Sequence, residues 1–243
     1  MTRRIIEITG SEATDFLQGL VTNDVSKVKD GLVYAALLTP QGKYVADFFL
    51  VPAEGAIRID VDEALGHMLM QRLSMYKLRA DVQLAELPVK VRRGTGTPPE
   101  GAFADPRHEA LGWRLYGEEG GDDGTRWDSI RVAHCIPETG IELTPDTYIL
   151  EAGFERLNGV DFRKGCFVGQ EVVARMKHKT ELRKGLATVE IEGEAPVGTA
   201  ITAGDKPTGT LYTQAGSQAI AYLRFDRAKG DMTAGDATLR LAE

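Results

Sequence analysis

Short apolar runs separated by turn residues dominate the first part of the chain. Residues 33–38, 44–51 and 56–61 are apolar or alternate loosely between apolar and polar positions, and turn signals at Pro40 and at 54–55 separate them. Runs of this length between glycine and proline turns are typical of strands. The pattern therefore predicts three consecutive strands joined by short connections.

Apolar positions at helical spacing follow these strands. They cover residues 63–76 and recur at 127–134 and 168–176. Strands and helices occur in mixed order, without a repeated strand-helix-strand unit. We therefore predict an α+β fold.

The pattern changes near residue 184. From there on, short runs rich in valine, isoleucine and threonine alternate with glycines, which is typical of a small β-barrel or sandwich. We predict two domains, an α+β region at 1–183 and this small barrel or sandwich at 184–243.

Composition and charge restrict the function classes. The chain has 243 residues, 29 basic and 36 acidic, with a formal charge of -7, which argues against direct binding to nucleic acid. The apolar stretch at 33–38 is too short to cross a bilayer, so no membrane partner is expected. With two cysteines and no leader-like segment, we expect a cytoplasmic protein.

The most informative segment is K-G-C-F-V-G-Q-E at 164–171. Gly165 and Gly169 bracket Cys166 just before a predicted helix, and glycine permits sharp turns and close approach of the backbone. The N-terminus of a helix carries a partial positive charge, which favours an anion beside it. The segment therefore predicts a reactive thiol at Cys166.

Two cations precede this thiol, Arg163 and Lys164. Nearby positive charge lowers the pKa of a thiol and raises its thiolate fraction. The alternative interpretation is that Cys166 is a small apolar residue that fills space at a helix start. For Cys135, which follows His134, packing is the favoured interpretation.

No pair of cysteines or histidines has the spacing of a metal site, such as C-x-x-C or H-x-x-x-H. We therefore predict no metal centre held by this chain alone.

The segment 164–171 resembles the signature of the YgfZ family, folate-binding relatives of the glycine-cleavage T-protein. Four further segments are similar to that family: 16–25, 38–43, 76–82 and 104–107. The resemblance implies a T-protein-like arrangement of three subdomains around a central hole, with two interleaved α+β subdomains at 1–183 and a barrel at 184–243. It also implies a key role for Cys166 and for its motif neighbours Lys164, Gly165, Phe167, Gly169, Gln170 and Glu171.

The resemblance further implies a cofactor and partners. The cofactor would be tetrahydrofolate or a one-carbon derivative. The partners would be iron-sulfur client or assembly proteins, including tRNA-modifying enzymes. Within this family pattern, Asp47 is a candidate for binding the pterin, because a carboxylate suits the donor edge of that ring. Arg131 is a candidate for binding the folate tail, because a guanidinium suits the carboxylates of the tail. Without the resemblance, both are interpreted as solvent-exposed charges.

Other functions stay open. At the segment that ends in Asp47, related T-proteins carry two adjacent acids and this chain has Ala46 in the first place, which argues against aminomethyl transfer. A folate-dependent aminomethyltransferase is nevertheless an alternative, and so is a non-catalytic docking module. A redox pair of Cys135 and Cys166 would need Cα atoms within about 7 Å of each other.

Overall fold

The computed structural model of the protein describes residues 2–178 and 182–242. Their internal contacts divide the chain into two compact units. The first comprises Met1–Thr125 and Glu155–Val172, and the second comprises Arg126–Phe154 and Val173–Glu243. This division differs from the predicted domains, because residues 126–154 group with the C-terminal strands rather than with the N-terminal region.

A five-stranded antiparallel sheet belongs to the first unit. Its strands are β1 (Arg3–Thr9), β2 (Val33–Leu38), β3 (Tyr44–Ala53), β4 (Ala56–Asp62) and β5 (Gln83–Leu87). Their order across the sheet is β2-β3-β4-β1-β5. A tight turn joins β2 to β3, where Gly42 has a φ of 74° and its N–H donates to the carbonyl of Thr39 at 2.8 Å.

One face of this sheet carries the apolar core. Side chains from alternate positions, among them Leu37, Ala46 and Phe48, pack there with the helices α1 (Ala13–Gln18) and α2 (Glu63–Lys77). Asp62 begins α2, since its carboxylate accepts a hydrogen bond from the N–H of Ala64 at 2.9 Å.

The opposite face of the sheet carries buried polar and aromatic residues. Tyr34 lies opposite Phe49 in the β2–β3 register, and Phe49 lies opposite Asp60 in the β3–β4 register. Asp47 is two residues before Phe49 and therefore shares this face, because side chains alternate between the faces of a strand.

A second sheet in the first unit has four strands in the order β7-β8-β6-β9. These strands are β6 (Lys90–Gly94), β7 (Phe103–Ala104), β8 (Trp113–Gly117) and β9 (Gly121–Asp122). Two 3-10 helices, Val25–Asp30 and Glu109–Leu111, complete the unit.

The second unit contains the helix α3 (Trp127–Ala133) and a closed six-stranded barrel. The barrel strands are β10 (Lys184–Glu192), β11 (Ala200–Ala203), β12 (Lys206–Ala215), β13 (Gln218–Arg224), β14 (Met232–Ala234) and β15 (Ala237–Leu241). Its interior is apolar, with Val189, Leu211 and Leu239 fully buried. Helix α4 (Gln170–Lys177) begins in the first unit and ends in the second.

The three predicted N-terminal strands and the helix after them are confirmed, with bounds that differ by one or two residues. The last predicted helix begins two residues later than expected, at Gln170. Within the described ranges, no helix is long and apolar enough to span a bilayer.

Candidate functional site

Cys166 lies on an irregular loop that precedes α4. The residue is exposed, and so are its neighbours Gly165 and Arg163. The alternative interpretation of Cys166 as a buried space-filling residue is therefore wrong for this loop. An exposed thiol is available to solvent, to a ligand or to a second protein.

Lys164 anchors the backbone of this loop to the interior of the protein. This side chain is buried, and its ammonium group donates to the carbonyls of Gln18 at 2.8 Å and of Val21 at 2.5 Å. The same nitrogen lies 5.2 Å from the centre of the buried Phe167 ring. Burial lowers the pKa of Lys164 to about 8, although the charges of Asp24 and Asp161 act to raise it.

The segment before the loop is held by the same part of the chain. Thr22 donates through its hydroxyl to the carbonyl of Gly159 at 2.7 Å, and Asn23 donates through its amide to the carbonyl of Asn158 at 2.7 Å. The family-like segment 16–25 therefore serves as the support of the cysteine loop.

Gly169 has a packing reason to be glycine. Its φ is 85°, and a Cβ there would lie 2.7 Å from the carbonyl oxygen of Thr39. Gly42 is restricted in a similar way, since a Cβ on it would lie 2.7 Å from the Cβ of Val172. Gly165, by contrast, has no positive φ and open space around it. The expected need for two turning glycines thus applies to Gly169 alone.

The expected activators of the thiol are placed differently from the prediction. Lys164 uses two of its donors on backbone carbonyls inside the protein. Arg163 has a side chain that is 91% exposed. Helix α4 starts four residues after Cys166, and the field of a helix end falls off within its first turn. The reactivity of Cys166 therefore stays a prediction without these three supports.

Gln170 and Glu171 open helix α4. The N–H of Gln170 donates to the carbonyl of Phe167 at 3.1 Å, and Glu171 is the exposed acidic residue of the first turn. A carboxylate in the first turn of a helix is stabilised by the helix dipole. These two motif residues thus form the helix start.

Asp47 is buried between two tyrosines. The hydroxyl of Tyr34 donates to one carboxylate oxygen at 3.0 Å, and the hydroxyl of Tyr44 donates to the other at 2.6 Å. Burial raises the pKa of Tyr34 well above its usual value, and the charge of Asp47 raises it further. The guanidinium of Arg107 lies 5.4 Å from the centre of the Tyr34 ring and 4.9 Å from that of Phe49.

A chain of buried ion pairs runs from Arg107 along this face. Arg107 forms a two-bond pair with Asp105 at 3.0 and 2.8 Å. Asp105 also accepts from Arg114 at 3.1 Å, and Arg114 reaches Asp60 at 3.0 Å. Asp60 pairs with Arg3 as well, at 2.5 Å. Burial alone would raise the pKa of Asp105, but Arg107 and Arg114 lower it to about 2.

Arg131 lies in the second unit and is also buried. Its guanidinium donates to Glu142 at 2.6 Å, to Asp128 at 2.8 Å and to the carbonyl of Ile136 at 3.2 Å, and it pairs with Glu138 at 2.9 Å. Every nitrogen of the group thus has a protein acceptor. Neither Arg131 nor Asp47 is the solvent-exposed charge that composition alone predicts.

Several residues around Asp47 were not predicted as site residues. Tyr34 and Tyr44 lie within predicted strands, and Arg107 lies within the family-like segment 104–107. A tyrosine on a neighbouring strand at the diagonal position to an acid is a signal that register could have supplied. Asp60 and Arg114, 54 residues apart, carry no such local signal.

Comparisons with known proteins identify relatives of this chain. Residues 183–243 match the family model described as the CAF17 C-terminal beta-barrel domain. The chain is 29% identical to the mitochondrial iron-sulfur cluster assembly factor IBA57 of Mus musculus, over 95% of this chain and 78% of that protein. It is 31% identical to the IBA57 homolog of Mycosarcoma maydis, over 75% of this chain and 54% of that protein. Iron-sulfur cluster assembly factors are thus relatives of this chain.

The fold is shared with a transferase. The glycine cleavage system aminomethyltransferase T from Bartonella henselae matches with a TM-score of 0.78 and 14% identity, over 99% of this chain and 83% of that one. This confirms the predicted T-protein-like α+β fold with its C-terminal barrel. At this identity the likeness shows the fold alone.

The expectation of a cytoplasmic protein is wrong by these comparisons. The IBA57 relatives from Mus musculus, Homo sapiens and Mycosarcoma maydis are all mitochondrial by name. The expectation rested on the low number of cysteines and on the lack of a leader-like segment, and a low number of cysteines does not distinguish one reducing compartment from another.

Proposed function

We propose that this chain is an accessory factor in the assembly or maintenance of iron-sulfur enzymes, and that it binds a reduced folate. The observation that carries the proposal is the exposed thiol of Cys166 on a loop anchored by the buried Lys164. The similarity to IBA57 assembly factors supports the iron-sulfur role. Iron-sulfur proteins, including tRNA-modifying enzymes, are the proposed clients.

Cys166 is the residue proposed to act on the client or on a sulfur species. Thiols are the protein groups that bind iron-sulfur clusters and react with sulfur. An exposed thiol on a loop with a fixed base can be presented to a partner with little loss of conformational freedom, because Lys164, Phe167 and Gly169 already order the backbone around it.

Asp47 is the residue proposed to bind the pterin of the folate. Each oxygen of a carboxylate offers two acceptor positions, and one tyrosine hydroxyl bonds to each oxygen of Asp47. A carboxylate is the group that suits the donor edge of a pterin. The rings of Tyr34 and Phe49 are each 1% exposed, so the proposed contact is with the Asp47 carboxylate and not with the faces of these rings.

Arg131 does not suit the folate tail. Its guanidinium is engaged by three carboxylates and a backbone carbonyl, as described above. Binding a glutamate tail there would require one of these ion pairs to open. We therefore propose a structural role for Arg131 within the second unit.

Aminomethyl transfer remains the alternative for the folate-binding face. Ala46 belongs to the apolar core, on the face of β3 opposite Asp47. An acid at position 46 would thus not share the face of Asp47, so the absence of an acid there removes nothing from that face. The better argument for an accessory role is the similarity to assembly factors.

The test measures two properties of the same variants. Reduced folate is titrated calorimetrically into the wild-type protein, Asp47→Asn and Cys166→Ser, with Arg163→Ala as the control. The same four proteins are expressed in cells depleted of their own IBA57-type factor, and the activity of an iron-sulfur enzyme is followed. We expect Asp47→Asn to weaken folate binding by about tenfold or more, and Cys166→Ser to bind folate normally but fail to restore the enzyme.

The outcomes separate the three functions. A wild-type protein that binds no folate refutes the cofactor. Full restoration of the iron-sulfur enzyme by Cys166→Ser refutes the role of the thiol and favours the docking module. Turnover of an aminomethyl donor in the presence of tetrahydrofolate favours the transferase.

A further inference from the structure

Two arginines lie directly opposite each other in the second sheet of the first unit. Arg93 on β6 pairs in register with Arg114 on β8, so their side chains point to the same face of the sheet. Like charges at directly opposed positions of an antiparallel pair destabilise a sheet. A third guanidinium, that of Arg3, lies beside the same place.

These three arginines line a small cavity. Its volume is about 30 Å³, and Val91, Gly121 and Asp122 complete the lining. The carboxylate of Asp122 in this lining is 4.0 Å from Arg93, while Arg3 and Arg114 also pair with Asp60, and Arg114 pairs with Asp105. A cavity of this size accommodates one or two atoms of the size of a water oxygen.

Arg114, which lines this cavity, carries an unused donor. Its side chain is 1% exposed, its Nε is bonded to Asp105 and its Nη1 is bonded to Asp60. Its buried Nη2 has no hydrogen-bond partner among the described residues. A buried donor without an acceptor is costly, and a charged one more so, so a group that supplies the acceptor is expected there.

We propose that the cavity between Arg3, Arg93 and Arg114 is a binding site for a single small inorganic anion, with chloride as the species to test. An anion accepts the Nη2 donor of Arg114 and lies between two like charges that the strand register forces together. A water molecule would supply the acceptor but would add no negative charge between Arg93 and Arg114.

The site is connected to the face that carries Asp47. Arg114 bridges Asp60 and Asp105, and Asp105 holds Arg107 against the rings of Tyr34 and Phe49. An anion at Arg114 therefore stabilises the ion-pair chain that positions Arg107. The anion site does not depend on the proposed function and stands without folate.

The first experiment locates the ion. Crystals of the full chain are grown or soaked in bromide, and the anomalous signal is mapped. We expect a bromide peak in contact with Arg114, Arg93 and Arg3. Density for water alone, with no anomalous peak at this position, overturns the proposal.

The second experiment measures the energetic effect in solution. The melting temperature of the full chain is followed while sodium gluconate is replaced by sodium chloride at constant ionic strength. We expect chloride to raise the melting temperature by roughly 2–4 °C, because a ligand that binds only the folded state stabilises it by mass action. A melting temperature that does not respond to chloride contradicts the site.

Matched variants assign the effect to this cavity. Arg93→Gln removes one lining charge and should reduce the shift caused by chloride, whereas Asp122→Asn removes the lining carboxylate and should increase it. Val91→Leu fills the cavity and should abolish the shift, while Val197→Leu, at a position that is 59% exposed in the second unit, should leave it unchanged. Equal chloride responses in all four variants would assign the effect to the general salt environment and refute the site.

Discussion

The ammonium group of Lys164 donates a hydrogen bond to the backbone carbonyl of Val21, 143 residues earlier in the chain. Together with a second bond to Gln18, this contact fixes the base of the loop that presents Cys166. The lysine beside the cysteine thus acts on the loop backbone rather than as a counter-ion of the thiol.

Replacing Lys164 by methionine should destabilise the protein by about 1–3 kcal/mol, because the carbonyls of Gln18 and Val21 lose their donor. The free energy of unfolding is measured in urea, and the modification rate of Cys166 by a thiol reagent is followed by peptide mass spectrometry. We expect the modification rate of Cys166 to change, because the loop is no longer anchored by Lys164. Arg163→Ala is the control, since that neighbour is almost fully exposed. Equal behaviour of the two variants would contradict the anchoring role.

Gly169→Ala and Gly165→Ala should differ although both lie in the same motif. Gly169 has a left-handed φ and no room for a Cβ next to Thr39, so its substitution should cost about 2 kcal/mol. Gly165 has neither restriction and should tolerate alanine within about 0.5 kcal/mol. Urea unfolding of both variants decides the matter, and similar losses at the two positions would disprove the distinction.

Acid should weaken the first unit through Asp105. Its pKa is about 2 in the folded protein and 3.8 in the unfolded chain. Between these two pH values the folded protein therefore binds fewer protons than the unfolded chain does. The contribution of this carboxylate is therefore complete above pH 3.8 and is lost as the pH falls through about 2. In the wild type, the urea concentration at the midpoint of unfolding should decrease as the pH is lowered from 5 to 2.

Asp105→Asn tests the origin of that slope. The variant should be less stable by about 3–5 kcal/mol near neutral pH, because Arg107 and Arg114 lose a buried partner. It should also show a shallower dependence on pH in the acid range. The control is Asp205→Asn, which removes an exposed carboxylate. An unchanged slope in Asp105→Asn would show that other groups control acid unfolding.

Arg131→Met should separate stability from ligand binding. It leaves the fully buried carboxylate of Glu142 without its guanidinium, which should cost about 3–5 kcal/mol. Asp128→Ala, which removes an ion-pair partner that is 65% exposed, should cost less than about 1 kcal/mol. Calorimetric titration with reduced folate should give the same affinity for the folded Arg131→Met protein as for the wild type. A clear loss of affinity would instead show that Arg131 contributes to folate binding.

The N-terminal strands were predictable because each obeys local rules. Residues 33–38 and 44–51 are apolar runs of strand length, and Pro40 and Gly42 mark the turn between them. The barrel was predictable for the same reason, since its short β-branched runs alternate with glycines. These signals lie within a few residues of the elements that they specify.

The chemistry of the site was only partly predictable, because it depends on contacts between distant segments. The sequence places Lys164 two residues before Cys166, which suggests a charge beside a thiol, but the fold turns that charge inward towards Val21. The pairing of Asp60 with Arg114 likewise depends on how two sheets pack. The grouping of residues 126–154 with the barrel arises in the same way, from tertiary contacts rather than from composition.

The close approach of Gly42 to Val172 and of Gly169 to Thr39 has a consequence for anyone who would move the cysteine loop into another protein. The loop cannot be grafted as eight residues, because its shape is completed by the turn at 39–43 and by the carbonyls of Gln18 and Val21. A transplant that carried K-G-C-F-V-G-Q-E alone would deliver the thiol on an unsupported chain. The smallest transferable module is therefore three segments that are far apart in sequence and form a single unit in space.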